Sequence, residues 1–284
     1  MQKFRRILPV LFLFTLQGLS ANADPVPLKY PVVLVHGVVA HDRGRFVSFW
    51  GRIPGVLRKN GINVFFGNTD AWGGYESNAA ILKTTIETIL HVTNSEKVNI
   101  IAHSKGGIDA RYLIWKYDFG DKVASLTTIS TPHHGAEISD LTFRQDILHS
   151  DIAKKTLKTF GELFGDVNPD MYNVNYQLTT AQMKEFNEKV TMDDRVYYHS
   201  IYSTIRNSFD DLMYFYSYWY LKNAVGPNDG IVSEYSARWG DNITKISDRI
   251  SHVEIIDLKG RKISKINIPD IYVNIVRDLA EKGF

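Results

Sequence analysis

The chain has no cysteine among its 284 residues. That excludes disulfides, thiolate metal sites and a lipid-modified amino-terminal cysteine, so a large apolar core must supply the stability. It has no basic run interleaved with aromatic side chains, so nucleic acid is not an expected partner. No internal repeat, low-complexity segment or linker divides it, and one domain is the simplest organisation. HExxH is missing too, which leaves His133-His134 without the companions that a zinc site needs. These two histidines are expected to be structural or to rim a pocket.

Long apolar stretches are also scarce, and the one at the start is short. Lys3, Arg5 and Arg6 precede an apolar stretch from Ile7 to about Leu19, and Ala21-Asn22-Ala23 stands before Asp24. This is the pattern of a secretory signal peptide, residues 1–23, removed after Ala23. The stretch is shorter than the ~20 residues of a spanning helix and is broken by Pro9, Thr15 and Gln17, so no membrane span is expected after cleavage. The formal charge of +2 belongs to this leader, which holds three of the 33 Lys and Arg and none of the 31 Asp and Glu. Residues 24–284 are then expected to be an exported single domain, in the periplasm or the medium.

Within that domain, Tyr30–Val35 is a continuous apolar, β-branched run, as expected for an innermost strand buried on both faces. Helical spacing at Trp50, Ile53, Val56 and Leu57 stops at Asn60-Gly61, and 62–66 reads as a strand. Residues 77–92 are helical in pattern, 97–102 a strand, 106–116 a helix and 123–129 a strand. This alternation predicts a mostly parallel central sheet with helices on both faces. From Asp140 to about Lys189 helix-like segments follow (152–164 and 180–190) with no strand between them, an insertion above the sheet. Residues 196–203 are strand-like, 213–221 fit helix or strand, and 269–281 is a closing amphipathic helix.

The run NIIAHSKGGIDARY (99–112) places Ser104 on the turn between a strand and a helix, with small residues two positions to either side, Ala102 and Gly106. That is the pattern of a nucleophile elbow. Ala102 stands where G-x-S-x-G has its first glycine, which is tolerable if its φ stays negative. A serine nucleophile needs a base, an acid to orient the base, and N–H donors for the oxyanion. In the order Ser, Asp, His, the candidates are Asp229 in the turn sequence GPNDG and His252, the last of nine histidines. The backbone amides of Val38, after His36-Gly37, and of Lys105 are placed to be the oxyanion donors.

With these residues in hand, the chain resembles the bacterial true lipases of the Pseudomonas and Burkholderia type. The matching segments are PVVLVHG (31–37), FWGRIPGVLRKNGINVFF (49–66), KVNIIAHSKGGIDARY (97–112), STPHHGAEISD (130–140), LTTAQMKEFNEK (178–189), NDGIVSEYSARWG (228–240) and the segment at His252. The resemblance implies an α/β-hydrolase fold, a triad of Ser104, Asp229 and His252, and an oxyanion hole at Val38 and Lys105. It also implies that the insertion at about 140–175 is a helical lid, which opens at a lipid surface. Members of the family often hold a structural calcium near the histidine, partly through two aspartates. Here the candidates are Asp210 or Asp211 and, two positions after His252, Glu254; but VEIID reads more like a strand than a loop. No organic cofactor is implied, and a dedicated folding helper is the one protein partner that the resemblance admits.

The reading is an exported serine carboxylic-ester hydrolase, a triacylglycerol lipase working through an acyl-enzyme. The rivals are a phospholipase or acyltransferase with the same triad, and a non-catalytic binding protein on a hydrolase fold.

Overall fold

The run YPVVLV forms the strand β1 (Val32–Val35), and its alternate side chains enter two different cores, Val32 and Leu34 on one face and Val33 and Val35 on the other. The structure is a computed structural model that describes residues 25–38, 42, 49–144, 166, 169–263 and 265–284. After β1 come α1 (Ile53–Lys59), β2 (Val64–Phe66), α2 (Tyr75–Thr93), β3 (Val98–His103), α3 (Lys105–Lys116) and β4 (Val123–Ile129). Then follow α4 (Glu137–Arg144), α5 (Met171–Gln177), α6 (Thr180–Lys189), β5 (Tyr197–Ser203), α7 (Phe215–Ala224), α8 (Glu234–Ala237), β6 (Ile243–Ser247) and α9 (Ile268–Glu281). Short 3₁₀ turns occur at Phe119–Asp121, Leu212–Tyr214 and Glu254–Ile256.

The strands pair in parallel throughout, in the order β2-β1-β3-β4-β5-β6. Helices α1 and α9 cover one face around Trp50, Ile53, Leu57, Tyr272 and Val276, whereas α2 and α3 cover the other around Leu82, Ile86, Leu113 and Ile114. Burial on both faces is why β1 reads as an unbroken apolar run, whereas β3 and β4 bury the polar side chains of Asn99, Ser125, Thr127 and Thr128 among their apolar ones. The architecture is that of an α/β hydrolase.

Two readings change, and one that the pattern left open is settled. β1 is second from the edge rather than central, because β2 pairs along its outer side; burial of both faces says nothing about lateral position. VEIID is not a strand: Glu254–Ile256 is a 3₁₀ turn, closed by Asp257 in the left-handed region at φ 61°. Ile255 and Ile256 are apolar because that turn sinks into the α1/α9 core, where the Tyr272 hydroxyl donates to the Ile255 carbonyl at 3.0 Å. The ambiguous aromatic segment is helical, as α7. The leader and most of the proposed lid (145–165, 167 and 168) lie outside the described residues. Among the described residues, no helix is long and apolar enough to cross a membrane.

Candidate active site

Ser104 is the single residue between β3 and α3, with φ 53° and ψ −131°, a conformation that L-residues adopt only when the surroundings impose it. The surroundings here are tight. A Cβ on Gly106 would lie 2.7 Å from the Val35 carbonyl oxygen and closer still to that of His36. A Cβ on Gly37 would lie 2.8 Å from Ser104 Cβ. Glycine at both places lets the β1 end and the α3 start close on each other, which drives the serine up out of the sheet. Ala102 keeps negative φ inside β3, so its methyl is tolerated there.

The structure brings Ser104, His252 and Asp229 together. His252 Nε2 is 3.0 Å from Ser104 Oγ, and His252 Nδ1 is 2.8 Å from Asp229 Oδ2. With the carboxylate accepting, Nδ1 carries the proton and Nε2 is left to accept from the serine. Asp229 is itself fixed: its Oδ1 accepts from the amides of Ile231 (3.0 Å) and Val232 (2.8 Å), and its carbonyl accepts from the His252 amide at 3.0 Å. All three side chains are buried.

Val38 follows the Gly37 turn, and Lys105 is the first residue of α3. Among the described residues neither amide has a hydrogen-bond acceptor, and that of Lys105 stands at the positive end of a helix. The Lys105 ammonium is turned away from the serine, donating to both Asp109 oxygens at 2.8 and 2.7 Å in the interior. Burial pushes the Asp109 carboxyl up, against the pull of Lys105.

His103 was not singled out by the sequence, although it precedes the serine. Its Nε2 is 3.0 Å from the His252 carbonyl oxygen, and the two rings lie 4.6 Å apart between centroids. Burial, and then the nearby His252 ring, holds His103 well below the ordinary imidazole value of 6.5. A histidine that stays neutral when folded but takes a proton when unfolded lowers stability as pH falls below its unfolded pKa. For His103 that amounts to about 1 kcal/mol between about pH 7 and pH 5.5. Urea unfolding at those two pH values should show this part of the decline in the native chain and lack it in His103→Gln. Equal declines in both would contradict it.

The remaining histidines of interest are structural. His133 stacks on Trp239 at 4.8 Å and meets Thr128 Oγ1 at 2.9 Å, and His134 stacks on Tyr235 at 4.8 Å.

The three acids offered for calcium are occupied by cations of the chain. Asp210 pairs with Arg206 at 2.6 Å. Asp211 and Glu254 share the Lys259 ammonium, 2.9 Å from each. Burial works to raise the Asp211 carboxyl, but hydrogen bonds from Ser251 and Lys259 outweigh it and hold the group low. Among the described residues no set of three His, Cys, Asp or Glu side chains could hold a metal ion. Nothing in the sequence pointed to Lys259 or Ser251 as partners of these acids, since both are ordinary surface residue types.

Comparison with known proteins places the chain among relatives. The family model for palmitoyl protein thioesterase matches residues 31–207. A triacylglycerol lipase 2 of Saccharomyces cerevisiae is 29% identical over 84% of this chain and 75% of its own length. A triacylglycerol lipase of Burkholderia plantarii is 31% identical over 60% of this chain, which spans 52% of that protein. A lipase of Bacillus licheniformis in its mature form superposes with a TM-score of 0.64, 24% identical, covering 89% of this chain and 94% of that one.

Proposed function

Since the chain belongs to the palmitoyl protein thioesterase family by its matched model and to the bacterial true lipases by its curated relatives, we propose that it hydrolyses long-chain acylglycerols through a serine acyl-enzyme. Ser104 Oγ gives its proton to His252 Nε2 and attacks the ester carbonyl. The oxyanion that forms is held by the amides of Val38 and Lys105. The imidazolium, stabilised by Asp229, passes the proton to the leaving alcohol oxygen as the C–O bond breaks. Water repeats the sequence in reverse and frees the fatty acid. The observation that supports this most is the continuous chain Asp229–His252–Ser104, 2.8 and 3.0 Å, ending on a serine in the left-handed region.

Export to the periplasm or medium is part of the same proposal, supported by the leader at 1–23. So is a lid at about 140–175, whose two ends overlap α4 and α5 in the described residues. The family model gives a second reading the same chemistry, with a thioester in place of the oxygen ester. A panel of a triglyceride emulsion, a soluble short-chain ester, a phospholipid and a palmitoyl thioester separates these. The expected order has the triglyceride hydrolysed fastest, with free fatty acid as product even when an alcohol acceptor is added. A thioester or phospholipid preference, or acyl transfer to the alcohol, would overturn the substrate assignment while leaving the serine chemistry in place.

A further inference from the structure

His252 sits on a segment whose other side is held by charge. Ser251, just before it, donates its hydroxyl to Asp211 Oδ2 at 2.6 Å and its amide to Glu254 Oε2 at 3.2 Å. Asp211 begins the 3₁₀ turn ahead of α7 and Glu254 begins the 3₁₀ turn after His252, so the two carboxylates clasp Ser251 from two separate elements. Both are buried, and two buried carboxylates facing one residue repel each other unless a cation lies between them. The cation is Lys259, with Nζ 2.9 Å from Asp211 Oδ2 and 2.9 Å from Glu254 Oε1. The exposed Arg261 guanidinium lies 3.9 Å from the same Glu254 oxygen. The remaining Asp211 oxygen accepts the Met213 amide at 3.2 Å. All four carboxylate oxygens are therefore engaged by donors of the chain itself.

We propose that Lys259 is a tethered cation that positions the Ser251–His252 segment, and that the chain takes no calcium there. A calcium ion needs six to eight oxygen ligands at about 2.3–2.6 Å. The shared point between the two carboxylates is filled by the ammonium, and the third acid, Asp210, is turned to Arg206. A cation carried on the chain does not dissociate, so the histidine is held whatever the free calcium. Lys259 touches neither the serine nor the histidine ring and is a positioning residue. Its effect on turnover rests on the proposed role of His252, whereas the metal-binding part does not.

The test measures calcium binding by calorimetry, the melting temperature, and kcat and KM on a soluble p-nitrophenyl ester, with calcium and with EGTA. The native chain is expected to bind no calcium and to keep the same melting temperature and kcat in both conditions. Lys259→Met should lower kcat about 10–100-fold, by analogy with the loss when an outer partner of a metal ligand is removed, with KM held. Lys259→Arg should recover most of that loss, which a residue serving stability alone would not separate into kcat. The proposal is overturned if calcium raises the native melting temperature and Asp211→Asn abolishes the rise, or if Lys259→Met turns over like the native chain. Should Lys259→Met fail to fold, the native calcium titration and Lys259→Arg still decide. Should the proposed role of the serine fail instead, Ser104→Ala would keep its activity while the calcium titration stood unchanged.

Discussion

Replacing Ser104 with alanine should lower kcat roughly 10⁶-fold, the loss that follows when a serine hydrolase is deprived of its nucleophile. The fold should survive the change. The residue is already a non-glycine side chain at φ 53°, so alanine brings no new backbone conflict, and only Oγ is removed. The Ser104 amide still donates to the Ile129 carbonyl at 2.9 Å, which keeps the turn anchored to β4. What disappears is the atom that forms the acyl bond in the proposed mechanism. The amides of Val38 and Lys105 remain, and a small residual rate over water from them is consistent with the mechanism. Stopped assays with purified chain, alongside an unchanged melting temperature, measure this. Activity within tenfold of native would contradict it.

Asp229→Asn should cost roughly 10⁴-fold in kcat with KM little changed. The size of the effect follows from which oxygen is already spoken for. Asp229 Oδ1 accepts two backbone amides, from Ile231 and Val232, so the asparagine carbonyl oxygen must take that place. Its NH₂ is then forced into the position of Oδ2, 2.8 Å from His252 Nδ1. A donor there stabilises the wrong tautomer, with the proton on Nε2, and the serine loses its acceptor. Asp229→Ala, by contrast, leaves Nδ1 without a partner of either kind and should be less specific in its effect on the tautomer. Kinetics on a soluble ester, with the histidine tautomer followed by nitrogen NMR, would check both. An asparagine variant with native kcat would mean that Asp229 does not orient the base.

The fold was legible where burial is symmetric. β1, β3 and β4 lie between two helical layers, so both of their faces are buried, and the mainly aliphatic and β-branched runs VVLV, VNIIAH and VASLTTI stand out against the helical spacing around them even with buried Asn99, Ser125, Thr127 and Thr128 among them. β6 was not legible, because ITKIS is an exposed edge strand whose position is set by pairing with β5 rather than by any pattern of its own. The turn at Glu254–Ile256 misled for the opposite reason: its two isoleucines are buried, but in the α1/α9 core and not in the sheet. Ser104 could be found from local spacing, since the elbow needs small neighbours. Asp229 and His252 could be found only through the order that the fold imposes, as they are 125 and 148 residues beyond the serine in the chain. Lys259 had no signal at all, because a lysine in a turn becomes informative only once Asp211, 48 residues earlier, is seen beside it.

In the proposed mechanism Ser104 becomes nucleophilic because His252 and Asp229 meet it in the folded chain. Reaction of the native chain with a fluorophosphonate, followed by intact-mass measurement and peptide mapping, tests it most directly. One adduct per chain, carried by Ser104 and absent from urea-unfolded protein and from Ser104→Ala, is the predicted result. A folded, ester-hydrolysing chain that stays unmodified, or that carries the adduct on another residue, would contradict it.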